Sequence, residues 1–158
     1  MFFFTNLLFF ITNLFLTNCL VNNVVFKNYI KISSNICDEN IGIVIFPGYG
    51  KNADNYRSIS EKICNKLEKN NIGSTIIINN YLNNLPIGGN IQTKILTKNS
   101  IDSINENKNI DKIFFIGHSA GSYFLNNIAS EYGSGFIQVG SVLNSNGILP
   151  WEKNNLFK

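Results

Sequence analysis

The chain has 158 residues, 44% of them apolar, and a net charge of +3; this is the length of one domain with enough apolar material for a core. Charged residues make up only 15%, against about a quarter in ordinary soluble proteins. The lysines are scattered, and no basic run is dense enough for a nucleic-acid surface, so nucleic acid is excluded as a partner. Cys19, Cys37 and Cys64 match no zinc or redox spacing. A Cys37–Cys64 disulfide stays open for an oxidising compartment. Neither a metal nor an organic cofactor is expected.

Residues 1–20 read MFFFTNLLFFITNLFLTNCL, with no charged side chain. A run of this length suits a signal peptide or one membrane span. It has no Lys or Arg at its start, and Thr17-Asn18-Cys19 is a poor cleavage site. We read it as a hydrophobic targeting segment, with membrane association through residues 1–20. A buried core helix is the plainer alternative, set aside because the segment is apolar nearly all round. Residues 21–40 hold Lys27 and Lys31 but no acid before Asp38, a transit-like composition. The two together resemble the bipartite leaders of complex-plastid cells, which implies the secretory pathway or a plastid. The alternative for this stretch is an ordinary strand or hairpin over Asn23–Ile32.

From Ile41 the pattern changes, and residues 41–158 are expected to form the folded domain. Ile41 to Phe46 is a continuous apolar run, as in a strand buried on both faces. Pro47-Gly48-Tyr49-Gly50 breaks it. A helix follows near Ala53, capped by Asn52, with Tyr56, Ile59, Ile63 and Leu67 at helical spacing. Asn70 to Gly73 ends it, and Ser74 to Asn79 is a second strand. Asn80 to Ile95 reads as loop around Pro86 and Gly88-Gly89, before a weak helix over Lys98–Asn107 with Ile101 and Ile104 inward. Asp111 to Gly117 is a third buried strand. Ser119 to Ser130 is a helix with Phe124, Leu125 and Ile128 on its apolar side, and Phe136 to Leu143 the last strand. Strands alternating with helices imply an α/β fold, a parallel sheet flanked by helices.

Gly117-His118-Ser119-Ala120-Gly121 lies where the third strand meets a helix. A G-x-S-x-G turn places its serine in strained backbone with Oγ exposed, and the flanking positions must be small so that strand and helix can approach. Ser119 is therefore the candidate nucleophile, with Gly117 and Gly121 as the structural glycines of the turn. The alternative is a structural Gly-rich turn whose serine does no chemistry. A nucleophile of this kind needs N–H donors for the developing oxyanion, worth several kcal/mol to the transition state. One comes from the residue after it, here Ala120; the other comes from the loop after an earlier strand. Pro47 to Gly50 stands in that place, although a plain strand–helix turn would look the same.

The combination VIFPGYG, ADNY and FFIGHSAGSYF resembles the α/β-hydrolase superfamily over about 41–158. More narrowly it resembles the lipase-like group of cyanobacteria and plastid-bearing eukaryotes. Pro47–Gly50 is similar to the His-Gly-x-Gly loop of many lipases and esterases, with Pro47 in place of His. That match implies Tyr49 N–H as the second oxyanion donor. The resemblance implies hydrolysis of an ester, thioester or amide of a small-molecule or lipid acyl substrate through an acyl-enzyme.

One component is absent. In this fold the acid and then the histidine follow the serine along the chain, yet only Glu131 and Glu152 follow Ser119 as acids, and no histidine does. Glu131 falls at the end of a helix and reads as solvated surface. Glu152 precedes the place where the family's acid is expected. His118 adjoins the nucleophile, and strand alternation points it elsewhere, so packing or a local hydrogen bond is its expected role. The fold is thus expected to be an α/β-hydrolase incomplete at its C-terminus, with acid and base beyond Lys158. A non-catalytic relative serving as a binding or scaffold protein is the competing reading.

Overall fold

A computed structural model of the chain describes residues 22–25, 28–36, 40–82, 89–106, 110–125 and 129–140. The apolar leader at 1–20, Cys37, Pro86, Ile128 and the stretch from 141 that holds Glu152 lie outside the described residues. Among the described residues no helix is long and apolar enough to cross a membrane.

Six strands form one sheet: β1 (Asn22–Val25), β2 (Tyr29–Ser33), β3 (Asn40–Phe46), β4 (Ser74–Asn79), β5 (Ile110–His118) and β6 (Gly135–Val139), in the spatial order β1-β2-β4-β3-β5-β6. The four strands β4-β3-β5-β6 run parallel, as the continuous apolar runs require. Alternation along β3 divides the core. Ile43 and Ile45 join Ile76, Ile78, Ile30, Ile32 and Cys64 on one face, under helix α1 (Asp54–Glu68). Val44 and Phe46 join Ile77, Phe115, Leu96 and Leu125 on the other. That face is covered by α2 (Gly89–Asn105), α3 (Ala120–Leu125) and α4 (Ala129–Tyr132).

The expected α/β architecture, with a parallel sheet flanked by helices, is in place, and three details differ from expectation. The first is an antiparallel edge: β2 runs antiparallel to both β1 and β4, so the whole sheet is mixed. Within 21–40 the hairpin alternative is therefore the one in place, and the sheet begins before Ile41. Tyr29–Ser33 alternates, with Ile30 and Ile32 fully buried. The Lys31 ammonium reaches the end of α2, 2.8 Å from the Ser103 carbonyl and 3.3 Å from Glu106 Oε2. Composition could not separate such a short alternating strand from a basic leader.

The second correction is α2. It starts at Gly89, inside the stretch read as loop. Its buried face is Thr93, Leu96, Thr97, Ser100, Ser103 and Ile104, while Ile91 and Ile95 are 73% and 56% exposed. Hydroxyls on this face bond back to the preceding turn, Thr97 Oγ1 to Thr93 O at 2.8 Å and Ser100 Oγ to Leu96 O at 2.8 Å. Ile101 and Ile104 face the core as expected, together with Leu96, but Ile91 and Ile95 face solvent and hydroxyls fill the rest of the buried face, so the first half of the helix shows no clean apolar period.

The third is a single residue. On α1, Tyr56, Ile63 and Leu67 pack on the sheet, but Ile59 is 52% exposed and Ser60 is buried instead. Asn52 acts as the expected cap. Its Oδ1 accepts from Asn55 N–H at 3.3 Å while Asn55 Oδ1 accepts from Asn52 N–H at 3.0 Å, a reciprocal capping box. After α1 the chain turns through Asn71 at φ 62, with Ile72 N–H on Leu67 O at 3.0 Å.

Candidate active site

Ser119 is the single residue between the last residue of β5 and the first of α3. Its φ is +51, a left-handed conformation that costs an L-residue roughly 1–2 kcal/mol. Neighbouring groups hold it there. Ser119 N–H donates to Val139 O at 2.9 Å on β6, and Ser119 O accepts from Tyr123 N–H at 3.2 Å.

The two glycines are needed for contact. A Cβ on Gly117 would lie 2.5 Å from Ser122 Cα, and one on Gly121 would lie 2.5 Å from both Phe46 O and Pro47 O. Strand β5, helix α3 and the end of β3 therefore meet with no room for a methyl group. The buried Ser122 hydroxyl donates to Gly117 O and closes the turn from inside.

The β3–α1 loop lies directly against this turn. Gly48 is so close that a Cβ there would meet His118 Nδ1 at 2.6 Å and Ser119 Cβ at 3.2 Å. Lys51 N–H closes a tight turn onto Gly48 O at 3.1 Å, and Gly50 takes φ +68. Pro47 and Gly48 are buried; Tyr49 is exposed. Neither Tyr49 N–H nor Ala120 N–H has a hydrogen-bond partner among the described residues.

Tyr56, in the first turn of α1, belongs to the ADNY segment and to the helix's apolar stripe, and neither pattern assigns it a role at the site. Its hydroxyl accepts from Gly48 N–H at 2.9 Å and lies 2.8 Å from His118 Nδ1. Burial pushes its pKa up, partly opposed by the Gly48 hydrogen bond. The arrangement is satisfied when Tyr56 O–H donates to Nδ1 and the imidazole proton sits on Nε2. His118 is thus engaged in a local hydrogen bond, and among the described residues no side chain is bonded to Ser119 Oγ. Glu131 is exposed on α4.

No family profile and no curated protein sequence matches the chain. Among solved structures it is similar to the Francisella virulence factor BioJ, with a TM-score of 0.51 and 15% identity over 90% of this chain. The chain spans about half, 50%, of the length of that structure. At this identity the likeness is one of fold. Together with the sheet order and the turn at Ser119, it defines an α/β protein with a hydrolase-like fold.

Proposed function

We propose that the protein is a serine hydrolase acting on an ester, thioester or amide, with Ser119 as nucleophile. The observation that carries this reading is the Ser119 turn. A serine sits at positive φ between a buried strand and a helix, flanked by two glycines whose Cβ positions are filled by backbone. Strain of this kind persists only where the surrounding structure imposes it. The β3–α1 loop packed on the turn supports Tyr49 and Ala120 as the N–H donors to the oxyanion.

In the proposed reaction Ser119 Oγ attacks the substrate carbonyl and the alkoxide, thiolate or amine leaves with a proton. The carbonyl oxygen takes up negative charge between the Tyr49 and Ala120 N–H groups. Water then releases the acid and regenerates the serine. The base and its acid partner are assigned to residues outside those described. The exposed Tyr49 beside the turn suits an acyl substrate, of the kind the lipase-like group would take. Residues 1–20 are proposed to bring the protein to a membrane. A cytosolic fluorescent fusion of that segment would exclude the targeting idea.

A fluorophosphonate probe tests the function. The full-length protein should be labelled, and Ser119→Ala should not be. Equal labelling of both removes Ser119 from the mechanism. A second reading, a non-catalytic binding protein of the same fold, is favoured by one observation: among the described residues nothing is bonded to Ser119 Oγ. It predicts no labelling of either form.

A further inference from the structure

We propose that Tyr56 and His118 are positioning residues, which through Gly48 hold the β3–α1 loop against the nucleophile turn and so place the Tyr49 N–H. The proposal rests on the hydrolase reading above and adds to it two residues that touch neither the substrate nor the reacting atoms.

Three elements meet at one hydroxyl. Gly48 N–H, in the loop, donates to Tyr56 Oη at 2.9 Å; Tyr56 belongs to α1; and the same oxygen lies 2.8 Å from His118 Nδ1 at the end of β5. His118 immediately precedes Ser119, and Gly48 immediately precedes Tyr49. The relay therefore joins the residue before the nucleophile to the residue before the proposed oxyanion donor. Its fit depends on Gly48 lacking a side chain, because a Cβ there would fall 2.6 Å from Nδ1. Among the described residues, the loop is also tied by the packing of Pro47 O against Gly121 and by its own turn. Its turn is closed by Lys51 N–H on Gly48 O, and Gly50 has nothing within 4 Å of where its Cβ would be. Half-buried, with its pKa raised by burial, Tyr56 stays a protonated donor.

A donor 1 Å out of place stabilises an oxyanion poorly while substrate still binds. Deleting such a donor outright costs about 100-fold or more in kcat; loosening one should cost less. For a short-chain p-nitrophenyl ester and the full-length protein, Tyr56→Phe should lower kcat by roughly 10-fold with KM within about two-fold. Affinity for a trifluoromethyl ketone inhibitor, which forms the oxyanion, should fall in parallel. His118→Ala should behave alike. His118→Asn, whose amide reaches the place of Nδ1, should restore activity, and His118→Gln, whose amide reaches that of Nε2, should not. The double variant should be no worse than either single one, since the two act as a unit.

A second measurement needs no catalysis. In a Ser119→Ala background the Gly48 amide proton resonance should move upfield when Tyr56→Phe removes its acceptor. If wild type is labelled at Ser119 but Tyr56→Phe keeps wild-type kcat and inhibitor affinity, the positioning proposal falls and the hydrolase reading stands. The proposal also falls if the Gly48 resonance does not move. If wild type is not labelled at all, the hydrolase reading falls and the proposal with it.

Discussion

Ser119 sits where a non-glycine residue is disfavoured, and the groups that hold it there are identifiable. Its own N–H is tied to β6, and its carbonyl receives Tyr123 N–H. The glycines on either side remove the side chains that would otherwise separate β5 from α3 and α3 from β3. Gly121 is the sharper case, since its missing Cβ would strike two backbone carbonyls, Phe46 O and Pro47 O, neither of which can rotate away. Gly121→Ala should therefore cost about 1–3 kcal/mol, the range for overpacking, read as a lower urea midpoint at unchanged m-value. An unchanged midpoint would mean that strand and helix can separate freely here. The five residues of the turn are contiguous, so this part of the site is legible along the chain. The Tyr56–His118 contact spans 62 positions, and no local pattern records it.

Helix α2 shows how an element can be hidden by its own packing. It places hydroxyls beside Leu96 and Ile104 against the sheet and turns Ile91 and Ile95 toward solvent, and its buried hydroxyls are hydrogen-bonded. Buried Asn79 on β4 donates to Ser100 Oγ at 3.0 Å, and Tyr81 Oη lies 3.3 Å from Thr93 Oγ1. Burial pushes the Tyr81 phenol up to about 12. Two neighbouring residues separate the faces. Leu96→Ala, in the core under Phe46 and Val44, should destabilise by about 2–5 kcal/mol. Ile95→Gln, on the outward face, should change stability by no more than about 0.5 kcal/mol. Denaturation curves check both; equal losses would reverse the assignment of the faces. Helix α1 poses no such problem, because Tyr56, Ile63 and Leu67 keep the helical period and Asn52 marks its start.

Taken as a whole, the described residues form a sheet whose edge is a hairpin within 21–40, the stretch whose composition resembles a leader and whose plainer alternative is a hairpin. β2 covers β4, every residue of which is buried. Removing residues 1–40 would bare the β4 backbone and the apolar row Ile76 and Ile78, an open edge prone to pairing with other chains. The 41–158 fragment should accordingly be recovered mostly in the insoluble fraction, and Ile32→Ala in the full chain should cost about 2–5 kcal/mol. A soluble 41–158 fragment with the full chain's urea midpoint would show that the hairpin stands outside the cooperative unit.

Some of this was readable along the chain. Strands β3, β4 and β5 are runs of Ile, Val and Phe long enough to declare a sheet buried on both faces, and Gly117 to Gly121 carries its constraint within five residues. Those features depend on side chains close in sequence. The rest depends on residues that meet only after folding. The antiparallel edge required Ile30 and Ile32 to find Ile78 and Ile76, and the buried face of α2 required β4 to offer Asn79 as a polar partner. The alignment of loop and nucleophile required Gly48, Tyr56 and His118 to converge. Hydropathy records what a residue prefers to be buried against, and it does not say which partner arrives.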